Sequence, residues 1–141
     1  MLTMYPACFI QEDNGFSVIF PDLNDLATCG DTLEEAMTMA VDCLAGYLHT
    51  LAQEGKAAPK PSPLSAVDPR LVALALDIDD AQDAFVNLVS VDVQAYAKAH
   101  FERSVKKTLT IPEWLNNAAL EKGLNFSQVL QDALKQRLQN A

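Results

Sequence analysis

The chain has 141 residues, half of them apolar, and a formal net charge of −9. That length suits one domain, or one small domain with a dimerising appendage, and no apolar run approaches the ~20 residues that span a bilayer. The opening Met1-Leu2-Thr3-Met4-Tyr5-Pro6 lacks the basic region and long apolar core of a secretory signal, so no membrane role is expected and the expected compartment is the cytoplasm. Cys8, Cys29 and Cys43 stand apart without C-x-x-C spacing, and His49 and His100 lack ligand spacing. A disulfide framework and a zinc site are therefore not expected, nor is any other cofactor. The charge is unevenly placed. Residues 1–98 carry 15 acids and 4 bases, whereas residues 99–141 carry 4 acids and 6 bases. This asymmetry hints at two jobs, the second on an anion.

In chain order, residues 4–10 and 16–20 are β-rich apolar runs separated by a stretch ending in Asn14-Gly15, a hairpin signal. Pro21-Asp22-Leu23-Asn24-Asp25 has turn chemistry, and a brief third strand fits Ala27–Cys29. A helix then starts, capped either by Thr32 with Glu35 or by Asp31 with Glu34. Leu33, Met37, Ala40, Leu44, Tyr47, Leu48 and Leu51 form its apolar stripe over about six turns, and Gly55 is its expected end. Pro59, Pro61, Pro63 and Pro69 impose an extended connection. Residues 70–76 read as a short helix, residues 84–93 as a strand, and residues 94–102 as a helix with Tyr96 and Phe101 to pack.

The last segment has a sharper pattern. Over 105–111, Lys106, Thr108 and Thr110 share one parity while Leu109 and Ile111 share the other. Pro112 suits the first position of a helix, Trp114, Leu115, Ala118 and Ala119 its apolar face, and Gly123 its end. Asn125 caps a second helix, with Gln128 three residues on, lined by Phe126, Val129, Leu130, Ala133, Leu134 and Leu138. A unit of about 37 residues buries too little apolar surface to stand alone, and its one strand has open edges. Pairing with the same strand of a second chain answers both needs and yields a two-stranded ribbon over four helices. Leu109 and Ile111 then face the shared core. Lys106, Thr108 and Thr110 face outward, where a ribbon can read a DNA major groove, and the helix start at Asn125 and Ser127 can take a phosphate.

These residues carry two resemblances. Residues 105–139 resemble the ribbon–helix–helix family of repressors. The N-terminal half resembles the HicB antitoxins through Tyr5-Pro6-Ala7, Gly15-Phe16-Ser17-Val18, Phe20-Pro21-Asp22-Leu23 and Gly30-Asp31-Thr32-Leu33-Glu34-Glu35-Ala36, and the strand at 84–93 leading to Asp92 and Tyr96 fits as well. Residues 64–80 match poorly. The resemblance implies an α+β chain: residues 1–102 as a partial RNase H-like module of three strands, a helix and a further strand, and residues 103–141 as a ribbon–helix–helix dimerisation and DNA-binding domain. It also implies a non-enzymatic antitoxin that masks HicA, a small basic ribonuclease, and represses its own operon as a homodimer or dimer of dimers. Tyr5, Glu12, Asp13, Phe16, Asp22 and Leu23 are the expected toxin-binding residues, and Lys106, Thr108, Thr110, Asn125 and Ser127 the expected DNA-binding ones.

Three departures stand out: Asn24-Asp25 replaces the family's usual Pro-Gly, Phe126 stands where an Arg is frequent, and Lys107 is charged at a core parity. Two alternatives remain. One is a regulator without a toxin. The other is a metal-dependent nuclease, which needs carboxylates converging from strands on two ions ~4 Å apart, whereas Asp22, Asp25, Asp77, Asp79, Asp80 and Asp83 fall in turns and loops.

Overall fold

The β-rich opening folds as a hairpin. Strand β1 (Thr3–Glu12) pairs antiparallel with β2 (Gly15–Phe20), Cys8 opposite Ile19 and Glu12 opposite Gly15. The turn therefore runs through Asp13 and Asn14, one residue earlier than Asn-Gly suggests, and Gly15 already belongs to β2 with φ +143°. Strand β3 (Leu26–Gly30) pairs with β2, and β4 (Ala84–Val91) pairs with the far edge of β1, giving one antiparallel sheet in the order β3-β2-β1-β4. The computed structural model describes residues 1–78, 83–102 and 105–140; Asp79 and Asp80 of the acidic loop lie outside them.

Strand alternation sends neighbouring side chains to opposite faces. On one face Tyr5, Ala7, Phe9, Val18 and Phe20 form the main core with Ala36, Ala40, Leu44, Ala45 and Leu48 of helix α1 (Leu33–Gln53). Leu33 leaves the expected stripe and is exposed, while Ala36 takes the inward position at the first turn. Thr32 is the cap: its hydroxyl accepts from the Glu35 N–H at 3.1 Å, and the Glu35 carboxylate reaches back to the Asp31 N–H at 3.3 Å. Gly55, at φ +70°, ends the helix by donating to Ala52, while Lys56 donates to Leu51, which is the Schellman pattern. Helix α3 (Val93–His100), capped by Asp92, lies against α1, and its Tyr96 hydroxyl donates to Asp42 at 2.9 Å.

The opposite face carries Ile10 and Ile19, covered by Ala73 of helix α2 (Pro69–Ala75). This short helix was expected from Arg70; it begins one residue earlier because Asp68 accepts from the Arg70 N–H at 2.9 Å and Pro69 needs no partner. The chain passes from one face to the other through the proline-rich strap at 56–63, which makes no helix or strand.

Between β2 and β3, Asn24 and Asp25 both adopt left-handed backbone, φ +57° and +55°. Asn24 compensates by donating a 3.3 Å hydrogen bond to the Tyr47 hydroxyl, whereas among the described residues the Asp25 side chain makes no comparable hydrogen bond. Replacing Asp25 with Gly should stabilise the protein by about 0.5–1 kcal/mol, read as a higher denaturant midpoint at unchanged slope.

The chain divides into two compact units, Met1–Arg103 and Ser104–Ala141. The second holds α4 (Glu113–Glu121) and α5 (Phe126–Gln139). Pro112 is the residue before the helix rather than its first, its carbonyl accepting from Leu115 and Asn116. Gly123, φ +64°, closes α4. Asn125 caps α5 by accepting from the Gln128 N–H at 3.1 Å, but Gln128 turns to Asp132 instead of back to the cap. Residues 105–111, expected as a strand, form none in the single chain, because a strand needs a neighbour to exchange hydrogen bonds with.

Candidate partner and nucleic-acid interfaces

In the first unit an open cleft of about 570 Å³ lies where the β1–β2 hairpin, the β3–α1 junction and the end of α2 meet. Glu12, Asp13 and Phe16, three of the six residues expected to bind a partner, line it. Asp31 and Asp77 add two carboxylates from other elements, and Lys and Arg are absent from the lining. Glu12 accepts from the Ser17 hydroxyl across the hairpin, which holds its carboxylate at the mouth. Such a cleft suits a cation on a partner protein, with Phe16 as apolar floor. The contribution of Asp31 and Asp77 was not legible in sequence, because they lie 18 and 64 residues beyond Asp13 and only the fold brings them together.

The other three residues are placed differently. Leu23 is fully buried: the 3-10 turn Pro21–Leu23 swings it into the main core. Tyr5 is 2% exposed, its ring in the core and its hydroxyl donating to the Pro59 carbonyl. Burial, and then the charge of Asp22, raise its pKa above the usual phenol range. Asp22 accepts from the Ser62 N–H at 2.8 Å and from the Ser62 hydroxyl at 2.7 Å. Tyr5 and Asp22 thus fasten the proline-rich strap, and Leu23 anchors the turn between them. All three were expected as toxin contacts, but in this chain their side chains are engaged internally.

The cysteines follow from their places. Cys8 is buried, and desolvation, followed by the charges of Asp68 and Asp25, pushes its thiol up to about 11; such a thiol is inert at neutral pH. Cys29 is exposed beside the acidic cleft. His49 and His100, distant in sequence, flank one aromatic cluster: His100 stacks on Tyr96 at 4.0 Å and His49 tilts against Phe101 at 5.6 Å. Among the described residues, no three His, Cys, Asp or Glu side chains converge as metal ligands, and no helix is long and apolar enough to cross a membrane.

In the second unit, Lys106, Thr108 and Thr110 are all exposed. Leu109 and Ile111, together with Lys107, line an apolar groove of about 570 Å³ against Leu115, Leu130 and Ala133. The two parities of the segment therefore face differently even without a strand partner. The Asn125 side chain is spent on its cap, leaving the N–H groups of Phe126 and Ser127 without intrahelical acceptors. Ser127 is exposed, at the rim of the same groove. Among the described residues of this unit none is buried; Asn116, Ala119 and Leu130 are partly buried and the rest are exposed. Trp114 is 70% exposed and Leu109 61%.

Comparison with known proteins gives a consistent answer. Over 58 residues the chain is 38% identical to an antitoxin HicB of Photorhabdus laumondii, which is 41% of this chain and 42% of that protein. The chain thus spans under half the length of this curated relative. A chain of a toxin–antitoxin complex from Streptococcus pneumoniae is 33% identical, superposes with a TM-score of 0.64, and is matched over 97% of this chain and 99% of its own. The antitoxin HicB of Burkholderia pseudomallei, at 20% identity and a TM-score of 0.51 over 94% and 96% of the two chains, shares the fold. The model of the HicB-like antitoxins of bacterial toxin–antitoxin systems matches residues 5–132, nearly the whole chain, and the protein belongs to that family.

Proposed function

We propose that this protein is the antitoxin of a toxin–antitoxin pair: its first unit masks a small basic ribonuclease of the HicA type, and its second dimerises and binds the operator of its own operon. Family membership and the relative from a toxin–antitoxin complex support the first half. So does the acidic cleft, since opposite potentials speed encounter and select the right partner. The order of three strands, a helix and a later strand supports a partial RNase H-like module, with α2 interposed and β4 returning antiparallel to β1. The second half is carried by one observation: the described residues of the second unit include no buried one. Two helices with their apolar faces in water need a second copy, and a ribbon built from both 105–111 segments covers the groove floor while leaving Lys106, Thr108 and Thr110 outward. The exposed start of α5 supplies phosphate contacts in place of the missing Arg at 126.

Replacing Thr108 and Thr110 together with Ala tests this. The change removes four hydroxyls from a dimer, each worth about 1 kcal/mol, so operator affinity should fall on the order of 10³-fold in a fluorescence-anisotropy titration while toxin binding stays at the wild-type level. Wild-type operator affinity in the double variant would refute the ribbon.

A further inference from the structure

Helix α2 lies in the stretch whose sequence motifs matched the antitoxin family least, although the family model extends over it. It touches the sheet through Ala73, with Val72 packed beside it, and turns its remaining apolar side chains away. Leu71 is 64% exposed and Leu74 is 74% exposed. Three residues apart, they share one face of the helix. Leu76, 40% exposed, follows at its end, and the next two residues, Asp77 and Ile78, line the acidic cleft. An apolar ridge thus runs directly into a cleft of carboxylates. Scattered exposed leucines need no explanation, but an exposed apolar face rimmed by polar and charged groups marks a protein interface.

We infer that the Leu71–Leu74 face of α2 and the adjoining acidic cleft form one docking surface for a basic protein, the leucines supplying the apolar centre and Asp13, Asp31 and Asp77 the charged rim. The inference rests on the proposed toxin binding and says where on the first unit it happens. The occupant is argued from charge. Residues 1–98 carry 15 acids against 4 bases, so a second copy of this unit would bring like charge to the rim, which opposes association, whereas a cationic partner gains at every rim carboxylate. Arg70 is the single base on α2. Interface energy concentrates in a few central side chains ringed by polar ones, and Leu71 and Leu74 hold the central position here.

The test uses the full chain and a purified toxin of the HicA type, by isothermal titration calorimetry. The variant Leu71→Ser/Leu74→Ser should bind the toxin roughly 50-fold more weakly or worse, with unchanged mass in light scattering and unchanged operator binding. Asp77→Asn, which keeps a residue at home in left-handed backbone, should weaken binding by about 3–10-fold and flatten its salt dependence. Hydrogen exchange on the wild-type complex should protect residues 69–78, a readout that needs no variant to fold. Wild-type affinity in the leucine variant, or no protection over 69–78, overturns the surface while leaving toxin binding itself standing. A fall in mass of the leucine variant assigns the face to a second copy and equally overturns it. If the wild-type chain binds no toxin, the proposed function fails and this surface with it.

Discussion

A chain carrying Leu109→Asp and Ile111→Asp should be monomeric, should lose the α4 and α5 helical signal, and should bind no operator. In the single chain these two side chains are 61% and 42% exposed and form part of the wall of an apolar groove. Burying an aliphatic side chain is worth about 1.5–3 kcal/mol. In the proposed two-fold ribbon four of them would contribute roughly 6–12 kcal/mol, the greater part of what would hold so small a unit together. Asp at these places forfeits that term and would leave carboxylates in the shared core. The first unit has its own core of Phe9, Phe20 and Leu44, all fully buried, so toxin binding should survive with at most a loss of avidity. Sedimentation equilibrium, far-ultraviolet circular dichroism and an operator titration read the three outcomes. A dimer of wild-type strength in this variant would mean that the copies meet elsewhere.

The second large effect is expected at Gly30. A Cβ there would lie 2.4 Å from the Ala36 nitrogen, 2.7 Å from its Cα and 2.8 Å from the Glu35 carbonyl carbon. All three are backbone atoms in the first turn of α1, which cannot rotate aside as a side chain would. Gly30→Ala must therefore push the helix off the sheet or bend β3. We expect a loss of about 3 kcal/mol or more, at the top of the range for overpacking, and a fall in melting temperature of roughly 10–20 °C for the first unit. Gly55→Ala is the control: nothing lies within 4 Å of the added carbon and only φ +70° is unfavourable, so the cost should be about 1 kcal/mol. Equal effects at the two sites would show that packing at the β3–α1 junction is looser than these distances require.

Gly30 also shows how a motif can be visible in sequence while its reason is not. Gly30-Asp31-Thr32-Leu33-Glu34-Glu35 reads as a helix start on capping chemistry alone, and Thr32 does cap α1. What forbids a side chain at 30 is the approach of α1 to β3, a tertiary fact. The same division runs through the candidate sites. Glu12, Asp13 and Phe16 belong to one hairpin, and the family resemblance with its exposed hairpin chemistry pointed to all three. Asp31, from the β3–α1 junction, and Asp77 and the α2 leucines, from the helical connection between α1 and β4, join them only through the tertiary fold. Tyr5, Asp22 and Leu23 were expected as partner contacts from the family resemblance, which says nothing of how each side chain is packed in this chain. Their engagement with Pro59, Ser62 and the core depends on where the strap runs, which no local period encodes.

By itself the sequence determined most of the elements and their facing: the hairpin, the α1 stripe from Met37 onward, the start of α1 near Thr32 with its cap left between Thr32 and Asp31, the cap at Asn125, the stops at Gly55 and Gly123, and the split of Lys106, Thr108 and Thr110 from Leu109 and Ile111. These follow from backbone geometry and side-chain periodicity, which act over a few residues. The tertiary structure alone decided which turn residues are buried, how the strap is fastened, and that α2 covers the second face of the sheet with its leucines turned outward. Those outcomes depend on contacts between segments far apart in the chain, where burial is set by what arrives from elsewhere and not by the residue's own neighbours.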